Sequence, residues 1–163
     1  LRSKDWLTIA IIGHGARRDA LERMAAARGL SNVKFFPYQP KALLSDSFSS
    51  ADAFLVSLNP GLEGYIVPSK VYGILASGRP FIAATDPSCE AAVIARHEGC
   101  GIVTTPGDPE ALAGAIVALY GNPDLTREMG INARRAAARF DRRVAVQAYY
   151  DLFARLVGVA RAA

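Results

Sequence analysis

The sequence predicts an α/β fold in which a parallel sheet carries helices on both faces. Short apolar runs rich in β-formers alternate with amphipathic helical stretches from one end of the chain to the other. Each strand candidate is short and apolar, as strands buried inside a parallel sheet are. The 163 residues are 51% hydrophobic, enough to fill a sizeable core, so one domain over residues 1–163 is expected.

Taken in order, a first strand is expected over residues 7–12, followed by the turn Gly13-His14-Gly15 and a helix over 16–28. Residues 33–36 read as the second strand, and Phe36-Pro37-Tyr38-Gln39-Pro40 as a loop stiffened by its two prolines. A helix over 41–50 leads to a third strand over 53–58. The polar, glycine-containing loop from Ser57 to Tyr65 then enters a helix over 69–77 that opens on Pro68-Ser69-Lys70 and closes at Gly78.

Strands over 80–84 and 101–103 enclose a helix over 89–98, for which Ser88 reads as the N-cap and Glu90 as a favourable acid in the first turn. A helix over 109–120 starts at Asp108-Pro109-Glu110 and stops at Gly121-Asn122-Pro123. Helices over 125–140 and 142–159 complete the chain. In the last one, Val144, Tyr149, Leu152, Phe153 and Leu156 fall near helical spacing and read as packing surface.

Composition narrows the function classes. A formal charge of +4 and a pI near 9.3 suit an anionic ligand, an anionic membrane surface or nucleic acid, but the excess is largely arginine scattered over the last third, which reads as solvated helix faces. No nucleic-acid partner is expected. Cys89 and Cys100 are too few for a disulfide framework or a zinc site, so a reduced, cytoplasmic setting without a metal is expected. No apolar run approaches the ~18 residues of a membrane span. The opening Leu1-Arg2-Ser3-Lys4-Asp5 has no signal-peptide core and no initiator methionine, so the chain is expected to begin inside a longer protein.

In such a sheet, ligands sit beyond the carboxyl ends of the strands, which directs attention to the loops there. The start of the 69–77 helix is the most informative. Unpaired backbone N–H groups and a partial positive charge, joined by an early lysine, make it a seat for the phosphates of a nucleotide diphosphate. An exposed first-turn lysine also occurs without any ligand. Gly13 and Gly15 could let a ligand approach the backbone or form only a tight turn. Because Arg18 stands where a dinucleotide fingerprint wants a third small residue, NAD binding is disfavoured. Tyr38 and Gln39 could meet a base by stacking and backbone contacts, or Tyr38 could cover the rim of the core. Glu63 is the one acid placed where a sugar hydroxyl could meet a carboxylate, and a solvated loop acid is the plainer alternative.

The order of these segments resembles the carboxyl-terminal, donor-binding lobe of a GT-B glycosyltransferase of family 4. Ile12-Gly13-His14-Gly15, Asn32 to Phe36, Ala51-Asp52-Ala53, Pro68 to Pro80, Pro106 to Ala113, and Met129-Gly130 before Ala133-Arg134 carry the likeness over nearly the whole chain. The Pro-Ser-Lys-x-Tyr helix resembles a branch that builds bacterial surface polysaccharides.

The resemblance implies a Rossmann-like lobe that binds a nucleoside diphosphate sugar, needs no cofactor, and transfers the sugar to an acceptor, conceivably membrane-linked at the inner membrane surface. It further implies that Gly13 and Gly15 line the diphosphate side, Tyr38 and Gln39 meet the base, and Ser69 and Lys70 hold phosphate oxygens. Gly64, Tyr72 and Gly73 join the donor site, and Lys70 and Glu63 serve the chemistry. Two departures stand out. The family's pair of glutamates eight positions apart falls on Tyr65 and Gly73 here. The family's basic pair on the first strand and helix of this lobe, and the amino-terminal acceptor lobe, lie upstream of Leu1, so the chain alone is expected to transfer nothing. A nucleotide-sugar epimerase of the same architecture and a non-catalytic nucleotide-binding module are the alternatives.

Overall fold

The computed structural model describes residues 1–2 and 4–158. Ser3 and the expected final helical residue, Val159, lie outside the described residues. All five expected strands form, and the chain divides into two compact units, Leu1–Ser50 and Ala51–Ala163.

The first unit is a β-α-β arrangement followed by a short helix. Strand β1 (Ile9–Ile12) runs parallel to β2 (Val33–Phe36), with Ile9 opposite Val33 and Ile12 opposite Phe36, and helix α1 (Arg18–Ala27) connects them. Ile9, Ile11, Val33 and Phe35 are half-buried while their alternate neighbours are exposed. β1 starts two residues later than expected because the Leu7 N–H turns back to the Lys4 carbonyl at 3.1 Å. The helix expected over 41–50 divides into a 3-10 turn (Lys41–Leu43) and helix α2 (Leu44–Ser49). Leu43 donates to the Pro40 carbonyl three residues back, which tightens the first turn.

The second unit is built on three parallel strands, β3 (Phe54–Ser57), β4 (Phe81–Ala84) and β5 (Gly101–Thr104), with β4 in the middle. Its position explains its composition: Phe81, Ile82 and Ala83 are all buried, as a strand covered on both faces must be. Pro80 has no N–H to give, so pairing begins at Phe81, and the Pro80 carbonyl accepts from Phe54 instead. Helix α3 (Lys70–Ser77) links β3 to β4, and α4 (Glu90–His97) links β4 to β5. Helices α5 (Pro109–Gly121) and α6 (Pro123–Ala137), a 3-10 turn (Ala138–Phe140) and α7 (Arg142–Leu156) follow.

Capping chemistry sets the helix limits. Asp108 Oδ1 accepts from the Glu110 and Ala111 amides at 3.0 and 2.9 Å. A single residue, Asn122, ends α5 and starts α6, its Oδ1 accepting from the Leu125 amide at 3.0 Å with Pro123 in the first helical position. Ala115 and Leu119 of α5 pack on Ile82 with Met129 of α6. The last helix forms as expected, but Val144, Tyr149, Leu152, Phe153 and Leu156 are exposed and none of its described residues is buried.

Helices α3 and α6 meet backbone to backbone. Gly78 closes α3 in the left-handed conformation at φ +67°, and its carbonyl lies where a Cβ on Gly130 would be, 2.6 Å away. Arg134, one turn further along α6, donates to the Ala76 carbonyl in the last turn of α3.

This geometry predicts opposite signs for two glycine substitutions in helices. Gly130→Ala should destabilise the protein by about 1–3 kcal/mol, because backbone must move to admit the methyl group. Gly114→Ala in α5, where a Cβ would meet nothing within 4 Å, should stabilise it by up to about 1 kcal/mol. Urea unfolding midpoints of the two variants measure both effects.

Candidate functional site

In the second unit, the loop after β3 and the start of α3 bring together Glu63, Gly64, Ser69 and Lys70 along one stretch of chain. Gly61 and Gly64, at φ +83° and +82°, bend the loop, and the Tyr65 and Ile66 amides both turn back to the Leu62 carbonyl. Glu63 is half-buried between these turns. Its Oε2 is fully buried and has no hydrogen-bond partner among the described residues. An unpaired carboxylate oxygen out of water is costly, and it is an acceptor open to any hydroxyl that reaches it.

At the start of α3, Pro68 is buried and anchors the turn, whereas Ser69 and Lys70 are exposed. Val71 and Tyr72 donate to the Pro68 and Ser69 carbonyls at 3.0 and 3.3 Å, so the helix opens with a 3-10 bond pattern. Ser69 occupies the N-cap position in helical rather than extended conformation, and its hydroxyl makes no capping bond. The hydroxyl that a capping serine usually commits to its own helix is thus available beside the first amides. Among the described residues Lys70 forms no ion pair. The Val71 and Tyr72 amides are spent on the Pro68 and Ser69 carbonyls, so the donors suited to an anion are the exposed ammonium, the free hydroxyl and the amides of Ser69 and Lys70 themselves.

Tyr72 and Gly73 lie one turn into α3 and are half-buried. The Tyr72 ring packs on Phe140 with centroids 5.2 Å apart, and burial, aided by the Glu90 charge, pushes its hydroxyl above the ordinary tyrosine range. Tyr72 therefore ties α3 to the turn after α6.

Beyond β4 the local reading needs a correction. Ser88 is not the N-cap of α4; Cys89 holds that position. Ser88 donates both its amide and its hydroxyl to Asp86 Oδ1, at 2.8 and 2.6 Å. The two bonds hold the Asp86 carboxyl below the usual carboxylate range. The acid two residues upstream outcompetes the helix for the serine, because Pro87 fixes the intervening turn. At the end of β5, the Thr104 Oγ1 is buried without a partner, in register with Ala84 of β4.

The first unit gathers Gly13, Gly15, Tyr38 and Gln39 at the carboxyl ends of β1 and β2. Gly13 has φ +116°, and a Cβ built on it would sit 3.6 Å from Tyr38 Cδ2, so the ring lies beside the glycine turn. Nothing lies within 4 Å of the corresponding point on Gly15. Tyr38 is 76% exposed, too much for a residue that merely covers the core, and Gln39 folds back so that its Nε2 donates to the Pro37 carbonyl at 3.0 Å.

Arg18, noted in the sequence only for spoiling a glycine pattern, joins the two strand ends. Its Nη1 donates to the Gly13 and Phe36 carbonyls at 2.5 and 2.6 Å, its Nε donates to Glu22 at 2.8 Å, and its guanidinium carbon lies 5.8 Å from the Phe35 ring centroid. The signal was present in the sequence as an arginine one turn after a glycine pair. Its partners are carbonyls, which a sequence cannot display.

Among the described residues no cluster of three or more His, Cys, Asp or Glu side chains could hold a metal ion, and no helix is long and apolar enough to cross a membrane.

Comparison with known proteins adds the following. The profile of the family described as "Glycosyl transferases group 1" matches residues 1–136. WbjE of Pseudomonas aeruginosa, named a probable glycosyltransferase, is 33% identical over 104 residues, which is 64% of this chain and 26% of that protein. WcaI of Escherichia coli (strain K12), whose name assigns it to colanic acid biosynthesis as a glycosyl transferase, is 32% identical over 111 residues, 68% of this chain and 27% of its own length. The chain thus spans about a quarter of these relatives. The crystal structure of Anabaena Alr3699/HepE in complex with UDP shares the fold at a TM-score of 0.66 and 22% identity, covering 83% of this chain and 37% of that one.

The unpartnered hydroxyl at Thr104 gives a stability test. Leaving a buried hydroxyl unpaired costs about 1–3 kcal/mol in proteins, so Thr104→Val, which keeps the shape, should be neutral or stabilising by up to about 1 kcal/mol. Chemical denaturation of the variant in the absence of nucleotide reads the sign.

Proposed function

The chain belongs to the glycosyl transferases group 1 family, and from that membership we propose that it is the donor-binding part of an enzyme that moves a sugar from a nucleoside diphosphate sugar to an acceptor. The single observation that carries the reading furthest is the donor set at the start of α3. Ser69 keeps its hydroxyl out of the cap, Lys70 is exposed and forms no ion pair among the described residues, and both stand at the start of the helix. A diphosphate is the ligand whose charge and oxygen count this set suits.

The chemistry follows from charge. In sugar transfer the bond between the anomeric carbon and the phosphate oxygen breaks, and its electron pair leaves with the diphosphate. The acceptor hydroxyl supplies the new oxygen–carbon bond and loses its proton. Negative charge grows on the leaving phosphate, and donors already aimed at it lower the barrier without having to reorganise. Lys70 and Ser69 have that role. Glu63, with an acceptor oxygen held away from water, takes hydrogen bonds from the hydroxyls of the transferred sugar. For the first unit taken by itself, the family resemblance supports Gly13 and Gly15 as backbone left open to a nucleotide and Tyr38 and Gln39 as residues that meet a base. Gly64 gives the Glu63 loop its bend, and Tyr72 and Gly73 support the helix from within.

Relatives named for polysaccharide synthesis favour an acceptor of that class, membrane-linked and met at the inner membrane surface from the cytoplasm, bound by parts of the protein outside these 163 residues. No cofactor enters this scheme.

Titration of the complete protein with UDP by calorimetry tests the assignment. Lys70→Ala should weaken binding about tenfold, the loss expected for one charge-assisted contact of ~1.5 kcal/mol. Glu63→Gln should leave UDP binding unchanged and weaken only the UDP-sugar. An Lys70→Ala variant that binds UDP as tightly as the parent removes the helix start from the site.

A further inference from the structure

We infer that Arg18 is a positioning residue for base recognition, acting through the Gly13 and Phe36 carbonyls to hold the Tyr38 ring where a nucleobase can stack on it. The inference rests on the proposed nucleotide site and assigns a role to a side chain that the proposed chemistry leaves unused.

The case begins with what Tyr38 lacks. The residue is 76% exposed, and the rotamers open to an exposed aromatic side chain depend on the φ/ψ of its own backbone. A stacking platform needs one orientation. The backbone here is fixed from three directions. Pro37 fixes its own φ and restricts Phe36 before it, the Gln39 side-chain amide closes onto the Pro37 carbonyl, and the Phe36 carbonyl receives both the Gly13 amide at 3.1 Å and Arg18 Nη1 at 2.6 Å. Arg18 also holds the Gly13 carbonyl, so one guanidinium nitrogen sets the glycine turn and the aromatic loop at a fixed spacing. The Tyr38 ring edge then falls 3.6 Å from the Cβ position of Gly13, ordinary contact distance, and the φ of +116° at Gly13 is what disfavours a larger residue there.

Arginine suits this task better than lysine. A planar guanidinium can bond two carbonyls through one nitrogen, a carboxylate through another, and still rest over a ring. Arg18 does all four, with Glu22 orienting it one turn along α1 and Phe35 beneath it, and its side chain is only 18% exposed. A side chain so committed to carbonyls is not a phosphate ligand. Its influence on a nucleotide is indirect and falls on the base.

The test compares nucleotides that differ only in the base. Affinities of UDP, CDP, ADP and GDP for the complete protein are measured for the parent, Arg18→Lys, Glu22→Gln, Tyr38→Ala, and the double variant Arg18→Lys/Tyr38→Ala. The parent should prefer one base. Arg18→Lys should weaken the preferred diphosphate about tenfold and narrow its lead over the others by a similar factor. Glu22→Gln, which keeps the shape of the brace, should do the same more weakly, and Arg18→Lys should add nothing once Tyr38 is alanine. An equal loss for all four diphosphates, an unchanged ratio, or additive losses in the double variant would overturn the inference, since each marks a merely structural arginine. A parent that binds none of the four instead overturns the nucleotide assignment itself, and a parent that binds all four equally overturns base recognition alone.

Discussion

The candidate phosphate site depends on how firmly α3 is held. Val71, Ile74 and Leu75 are completely buried, Gly78 closes the helix against the backbone of Gly130, and Arg134 binds the carbonyl of Ala76. Tyr72 adds a ring contact to Phe140. With these contacts along its length and at its far end, α3 leaves Lys70 in its first turn and Ala76 in its last turn exposed. Helix-start amides are useful for binding an anion only when the helix cannot recoil from it, and burial of the remaining turns supplies that rigidity.

Polar groups left unsatisfied mark where the protein gives up stability. Glu63 Oε2 and Thr104 Oγ1 are both buried without partners, and Ser69 forgoes a capping bond worth roughly 1 kcal/mol. Two of the three lie on the segment between β3 and α3. Elsewhere the helix starts at Asp108, Asn122 and Asp141 are capped by their own side chains. The starts of α1 and α4, at Arg17 and Cys89, also lack a side-chain cap, so what sets α3 apart is a serine at its N-cap position that does not make the bond.

The first unit solves a related problem by different means. Its two short parallel strands offer little buried surface, so the loops at their carboxyl ends are fixed by a charged side chain bonding to main-chain carbonyls. Hydrogen bonds from a guanidinium are stronger than neutral ones, and here they reinforce the junction of Gly13 and Phe36, 23 positions apart in sequence, that the strand ladder and the Gly13 amide already make.

Much of the architecture was legible beforehand because it is encoded locally. Apolar runs such as Phe81-Ile82-Ala83-Ala84, the helix start at Asp108 and the stops at Gly78 and Asn122 act over a few residues, and each formed where the residue types require. Asn122 also caps α6, which begins two residues before the expected 125. The exposure of Ser69 and Lys70 follows from their place at a helix start, whose first turn packs least. What tertiary structure alone decided were pairings between distant segments: Arg18 with two strand ends, Gly130 with Gly78, and Tyr72 with Phe140. Even over two residues, Asp86 rather than α4 claimed Ser88. Such choices depend on distances and on competition among donors, and these exist only once the chain has folded.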